Sequence, residues 1–79
     1  MEEHVKMFAE RLKALRTEKN LTLIALSELT GVGVSTLSQY ENMEREVKTV
    51  NLIKLMTYFG VSADYLLGVS DEKKNIKQG

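Results

Sequence analysis

The sequence has no cysteine, no proline and only one histidine, and its acidic and basic residues are equal in number. Small secreted domains usually depend on disulfide bonds, so a chain of 79 residues without cysteine is expected in a reducing cytoplasm. No apolar run approaches the ~20 residues that span a membrane. The N-terminal segment is acidic and interrupted by charges, unlike a secretory signal peptide. We therefore expect a cytoplasmic protein without a membrane partner.

Residues that could supply catalytic chemistry are equally scarce. An enzyme needs an activated nucleophile, a set of metal ligands or convergent carboxylates. The single histidine, His4, lies in the N-terminal segment without a second candidate ligand, and no glycine-rich loop is arranged to hold phosphate groups. We predict that the protein is not an enzyme and that it holds no metal and no cofactor.

Net charge gives no signal for a nucleic-acid partner. Eleven basic and eleven acidic residues cancel, and the two signs are mixed along the chain. A surface that binds phosphate groups must therefore arise from folding, with basic side chains gathered on one face.

Hydrophobic spacing predicts an all-α domain, because apolar residues recur every three or four positions and no segment alternates as a strand would. Five helices are expected, at about 3–19, 22–30, 33–42, 49–59 and 63–68. Thr22 and Ser62 are predicted N-caps, and Gly31 and Gly60 are predicted to end the second and fourth helices. The predicted inward-facing residues are Val5, Phe8, Leu12, Leu15, Ala25, Leu26, Leu29, Leu37, Tyr40, Leu52, Ile53, Leu55, Met56 and Phe59.

The tight turn at Gly31 joins two short helices, which is the arrangement of a helix-turn-helix. Ser27 is a small residue where the two helices would cross. The residues expected to fill the interior are Leu26, Val32, Leu37 and Tyr40. Helical spacing then turns a second set outward on helix three: Val34, Ser35, Ser38 and Gln39. Short polar side chains on a protruding helix suit base edges in the DNA major groove, where glutamine can bind adenine through two hydrogen bonds.

These features resemble the Cro/C1-type, or xenobiotic-response-element (XRE) type, helix-turn-helix family of bacterial and phage repressors. From Phe8 to Gly68 the family pattern can be laid without a gap over "RLKALRTEKNLTLIALSELTGV", "STLSQYEN" and "LIKLMTYFGVSADYLLG". The resemblance implies a compact five-helix bundle like the lambda repressor DNA-binding domain, at 1–69, followed by a polar tail at 70–79 that we expect to be frayed. It also implies a bacterial or phage-encoded regulator that binds double-stranded operator DNA as a homodimer. Repression is the expected role, and activation by recruiting polymerase stays open as the alternative.

The resemblance also assigns roles to individual residues. In the family an arginine late in helix one pairs with a glutamate late in helix three, and Arg16 and Glu41 occupy these positions. Base reading falls to the start and middle of helix three. Phosphate contacts come from the start of helix two and from the loop at 42–48. The expected phosphate-contacting residues are Lys13, Thr22, Thr36, Asn42, Arg45 and Lys48.

Four apolar residues depart from the family pattern on the presumed DNA face. Leu23 replaces a glutamine that usually binds phosphate, and Ile24 stands where a charge is preferred. Met43 replaces a glycine after helix three, and Val47 replaces a proline before helix four. An alternative therefore stays open, in which the fold is an adaptor or antirepressor with weak or no DNA binding. These same four residues would then contact a protein partner.

The homodimer needs a surface away from helix three. Apolar residues near the C-terminal end exceed what a five-residue helix needs to seal the core: Tyr65, Leu66, Leu67 and Val69. We expect dimerisation through this end, and the alternative is that these residues only complete the core. Two-fold symmetry would place the half-site centres about 34 Å apart, or a multiple of that distance.

Overall fold

A computed structural model describes residues 3–73, and within this range it contains five α-helices and no strand. The helices are α1 (Glu3–Glu18), α2 (Leu23–Thr30), α3 (Val34–Glu41), α4 (Thr49–Phe59) and α5 (Ala63–Leu66). The predicted all-α fold is confirmed, and the largest difference is that α5 ends two residues early. No helix in the described range is long and apolar enough to cross a membrane.

Hydroxyl caps and left-handed glycines set the helix ends. The side-chain oxygens of Thr22 and Ser62 accept hydrogen bonds of 3.0 and 2.9 Å from backbone N–H groups in the first turns of α2 and α5. Gly31 and Gly60 follow α2 and α4 with φ of +84° and +68°. Glycine adopts this left-handed conformation without the steric cost that a Cβ atom brings. The chain therefore reverses at these two positions.

One hydrophobic core joins all five helices. Each helix contributes one leucine that is 0% exposed: Leu12, Leu26, Leu37, Leu55 and Leu66. The Phe8 ring meets the buried Tyr40 ring edge to face, with 5.4 Å between centroids. The Tyr40 hydroxyl accepts a 2.9 Å hydrogen bond from Asn51 Nδ2 of α4. This contact satisfies the polar end of a residue that is otherwise core, and it ties α3 to α4.

Two residues predicted to face inward are mostly exposed. Leu29 and Ile53 are each 54% exposed, and they line a shallow groove of about 380 Å³ between α2 and α4. The prediction was wrong because helical spacing identifies the apolar side of a helix but not how far the neighbouring helices cover it.

The C-terminal apolar residues divide between core and surface. Leu66 is 0% exposed, so it cannot contribute to a dimer surface, and its inclusion among the dimer residues was wrong. Tyr65 and Leu67 are half-buried against the core. Val69 is 73% exposed. The short helix α5 therefore seals the core with its buried side and leaves a small apolar surface outside.

Residues 70–73 fold back onto α1, contrary to the expected frayed tail. Arg11 Nη1 donates hydrogen bonds of 2.7 Å to the backbone oxygens of both Tyr65 and Ser70, and Arg11 Nη2 lies 2.8 Å from Asp71 Oδ1. The guanidinium carbon lies 4.2 Å from the centroid of the Tyr65 ring. Arg11 thus holds residues 65–71 against α1, and Lys73 Nζ lies 3.8 Å from Glu18 Oε1 at the end of the same helix. The last six residues lie outside the described range.

Candidate nucleic-acid interface

The turn between α2 and α3 is held by hydrogen bonds between residues that are close in sequence. The Gly31 N–H donates to the Ser27 oxygen at 2.8 Å. The Thr30 hydroxyl donates to the Leu26 oxygen at 2.8 Å and accepts from the Val32 N–H at 3.2 Å. Val32 is then 1% exposed and anchors the turn in the core. These contacts define the angle at which α3 leaves α2.

One side of α3 is buried and the other side is open. Leu37 and Tyr40 are 0% and 1% exposed. The predicted base-reading residues lie on the side away from them, at the helical spacing i, i+1, i+4, i+5: Val34, Ser35, Ser38 and Gln39. Val34 is 41% exposed, Ser35 is exposed, and Ser38 and Gln39 are partly exposed. A partner that approaches α3 from outside therefore meets these side chains first.

Arg16 and Glu41 form a two-pronged ion pair between α1 and the end of α3. Arg16 Nε lies 2.7 Å from Glu41 Oε2, and Arg16 Nη2 lies 3.0 Å from Glu41 Oε1. Arg16 Nη1 donates a third hydrogen bond, of 2.7 Å, to the Leu21 oxygen. The hydrogen bonds that Arg16 donates to Glu41 raise the pKa of Arg16 above its ordinary value, although burial opposes the shift. The guanidinium is charged at neutral pH, as arginine side chains in proteins are, and the ion pair orients α3 against α1.

The residues expected to contact phosphate are spread over four parts of the chain. Lys13 lies on α1, Thr22 caps α2, Thr36 and Asn42 belong to α3 and its end, and the remaining two lie in the loop before α4 (Arg45 and Lys48). All are exposed except Thr36, which is half-buried. Within residues 3–73, two of them form side-chain hydrogen bonds to predicted base readers. Asn42 bonds Ser38 one turn earlier in the chain, and Arg45 bonds Gln39 from the loop.

The loop after α3 turns back on the helix at Met43. This residue has φ of +61°, the left-handed conformation, at the position where the family resemblance implies glycine. The Met43 N–H donates to the Tyr40 oxygen at 3.1 Å, and the Glu44 N–H donates to the Gln39 oxygen at 2.8 Å. The next residue, Arg45, therefore returns to α3, and its Nη1 lies 3.2 Å from Gln39 Oε1. Sequence reasoning missed this contact; the glycine position of the pattern was its only signal.

The four apolar departures do not form one exposed patch. Leu23 and Val47 are half-buried against the core, and Met43 is also half-buried. Ile24 alone is mostly exposed, at 63%. Leu23 and Val47 pack part of their apolar area against the core, which leaves less of it for a partner, and a partner surface at the four residues stays a prediction.

No metal centre accompanies this interface in the described range. Within residues 3–73 no group of three or more histidine, aspartate and glutamate side chains is arranged to hold an ion. His4 has its Nε2 atom 3.6 Å from Glu46 Oε2 in the loop before α4.

Comparison with known proteins identifies similar chains among transcriptional regulators. The chain is 33% identical over 78 residues to the uncharacterized HTH-type transcriptional regulator YobD of Bacillus subtilis, covering 91% of this chain and 70% of YobD. It is 33% identical over 64 residues to the repressor protein C2 of Salmonella phage P22, covering 81% of this chain and 30% of C2. The chain thus spans most of one relative and less than a third of the other.

The fold and a family model agree with these relatives. The crystal structure of the restriction-modification controller protein C.AhdI from Aeromonas hydrophila superposes with a TM-score of 0.71 at 34% identity, covering 78% of this chain and 94% of that one. A helix-turn-helix family model matches residues 12–66, which include α2, the turn and α3. The chain therefore belongs to the helix-turn-helix family HTH_3, the Cro/C1 or XRE type of transcriptional regulator.

Proposed function

We propose that the protein is a sequence-specific DNA-binding repressor that inserts α3 into the major groove. The observation that carries this proposal is the two-sided environment of α3. Its inner side is locked in the core by Leu37 and Tyr40, and its outer side presents small and polar side chains. An α-helix fits the major groove, which is about 12 Å wide, and its polar side chains can then meet base edges.

Phosphate contacts in this proposal come from the exposed polar residues that surround α3. The proposed set is Lys13, Thr22, Thr36, Asn42, Arg45 and Lys48. The Thr22 oxygen already caps α2, but its hydroxyl proton remains a donor. Such contacts position the protein on the duplex and carry no sequence information. The domain at 1–69 would act by occupying its operator and obstructing polymerase, and the name of the phage P22 relative supports a repressor.

A selection experiment followed by affinity measurements tests the base-reading side chains. Sites would first be selected from a randomised duplex pool, and binding then measured by fluorescence anisotropy on the selected and on random DNA. Gln39→Ala should weaken binding to the selected site by about 1–3 kcal/mol and leave random DNA nearly unaffected. Lys13→Ala is the matched control, and it should weaken both equally and reduce the salt slope by about 1.

Two outcomes would contradict the proposal at different levels. Equal losses of Gln39→Ala on selected and random DNA would remove Gln39 from the base readers. A folded wild-type protein that enriches no sequence and binds no duplex at low salt would contradict DNA binding as a whole.

The proposal includes a homodimer on a near-palindromic operator, because one short helix reads too few base pairs to specify a genomic site. Half-site centres about 34 Å apart would match one turn of DNA. The C-terminal surface around Val69, with the half-buried Tyr65 and Leu67 beside it, is the proposed interface. Leu29 and Ile53 form the competing apolar surface.

Sedimentation velocity distinguishes the two surfaces. Val69→Glu should shift the protein to the monomer, and Ile53→Glu, a charge placed on the competing surface, should leave the dimer intact. The reverse pattern would move the interface to the groove between α2 and α4. A wild type that stays monomeric at high concentration, both free and on a palindromic site, would contradict the dimer.

One observation favours a second function. Ile24 is 63% exposed in the first turn of α2, where a phosphate-facing helix end would ordinarily carry polar side chains. An adaptor or antirepressor would use this residue against a protein partner. The selection experiment separates the two functions, because an adaptor would remain folded and fail to enrich any DNA sequence.

A further inference from the structure

Arg45 and Gln39 form a contact that neither residue's separate role explains. Arg45 Nη1 lies 3.2 Å from Gln39 Oε1, across the turn that Met43 makes after α3. The loop is held in this position by the backbone hydrogen bond from Glu44 to the Gln39 oxygen. Arg45 forms no ion pair with a carboxylate in the described range, so its charge and its remaining N–H groups stay available.

The chemistry of the two side chains decides how the glutamine is oriented. A guanidinium has five donors and no acceptor, so it can bind only the oxygen of a side-chain amide and never the nitrogen. Arg45 therefore holds Gln39 with Oε1 turned toward the loop. The Nε2 amino group, which has two donors, takes no part in this contact and can therefore donate to a partner. The remaining N–H groups of Arg45 add further donors and a positive charge to the same pair of side chains.

This arrangement changes which base the glutamine can recognise. A free glutamine binds adenine by donating to N7 and accepting from the N6 amino group. Guanine instead presents two acceptors in the major groove, N7 and O6. A pair of side chains that presents donors and a positive charge matches the two acceptors of guanine. On adenine the same pair would place a donor opposite the N6 amino group, which is itself a donor.

We infer that Gln39 and Arg45 act as one unit, the Gln39–Arg45 pair, which selects guanine over adenine at one base pair of each half-site. Arg45 is in this view a positioning residue for Gln39 rather than only a phosphate contact. The inference rests on the proposed DNA-binding function and names the base that this part of α3 reads.

Selection from a randomised duplex pool tests the inference with three variants of the full chain. The wild type should enrich guanine at one position per half-site and bind it about tenfold more tightly than the same site with adenine. Gln39→Ala should lose the preference at that position. Arg45→Ala, which frees Oε1 to accept from the N6 amino group, should move the preference from guanine toward adenine at the same position.

Lys48→Ala is the matched control, because Lys48 is an exposed cation at the end of the same loop whose side chain makes no hydrogen bond to Gln39 within residues 3–73. This variant should weaken binding to all sequences evenly and leave the selected motif unchanged. An NMR spectrum of the free protein gives a second readout. The Gln39 Nε2 amide resonances should move in Arg45→Ala and stay in place in Lys48→Ala, and this comparison also shows that both variants are folded.

The outcomes separate the pair from DNA binding itself. If Arg45→Ala weakens binding evenly and keeps the motif, as Lys48→Ala does, Arg45 is a phosphate contact and the inference is wrong. A wild type that enriches adenine at the position sensitive to Gln39 would overturn the pair while leaving the repressor proposal in place. A wild type that enriches no sequence would contradict the repressor proposal, and the pair would fall with it.

Discussion

The ion pair between Arg16 and Glu41 gives the sharpest test of how this fold is held together. Glu41→Ala removes both hydrogen bonds to the Arg16 guanidinium, at 2.7 and 3.0 Å, and leaves only the bond to the Leu21 oxygen. The side chains are 14% and 8% exposed. In the Glu41→Ala variant, water can therefore solvate the unpaired Arg16 guanidinium only partly.

The expected loss follows from these contacts. A hydrogen bond to a charged group contributes about 1.5–3 kcal/mol, and breaking a fully buried pair costs about 3–5 kcal/mol. Because Arg16 keeps one backbone partner and some exposure, we expect Glu41→Ala to lower the free energy of unfolding by about 2–3 kcal/mol. For a domain of this size that corresponds to a decrease of roughly 10–20 °C in melting temperature.

Thermal and urea unfolding followed by circular dichroism would measure the loss. Glu44→Ala is the control, since Glu44 is an exposed glutamate in the next turn of the chain, and it should stay within about 0.5 kcal/mol of the wild type. In the double variant Arg16→Met, Glu41→Leu, no charge is left without its partner. Its loss of stability should therefore be smaller than the sum of the losses in the single variants Arg16→Met and Glu41→Leu.

Two results would refute this reasoning. Equal melting temperatures for Glu41→Ala and Glu44→Ala would show that the pair adds nothing to stability. Strict additivity in the double variant would show that the two side chains, although in contact, are not energetically coupled.

Two further predictions concern the C-terminal end of the fold. Gly68→Ala should destabilise the protein by about 2–4 kcal/mol, because φ is +81° there and a Cβ atom would lie 2.6 Å from Met7 Cβ. Gly60→Ala, with φ of +68° and open space around the new methyl group, should cost only about 1–2 kcal/mol, and equal losses in thermal unfolding would contradict the proposed clash. Arg11→Met should cost about 1.5–3 kcal/mol and increase hydrogen exchange at the end of α5, because three hydrogen bonds are lost. Asp71→Asn should leave the melting temperature nearly unchanged, since the Asp71 side chain is 98% exposed. A similar loss of stability in Arg11→Met and Asp71→Asn would show that Arg11 acts through the Asp71 carboxylate and not through the two backbone carbonyl groups.

Local signals in the sequence determined the helices and the turn. The spacing of Leu12 and Leu15, the hydroxyl cap at Thr22 and the glycine at Gly31 each act within one or two helical turns of the chain. The five helices and the all-α fold could therefore be predicted. The outward side of α3 could be predicted for the same reason, because burying Leu37 and Tyr40 leaves only one direction for the polar residues between them.

Only the tertiary structure decided how far each apolar side is covered. Leu66 and Ile53 are both apolar residues in short amphipathic segments, yet one is 0% and the other 54% exposed. The difference depends on which other helices lie above them, and these come from distant parts of the chain. The contacts of Arg11 with residues 65–71 and of Arg45 with Gln39 are of the same kind. Each requires a loop to return to a helix, and no periodicity within either segment encodes that return.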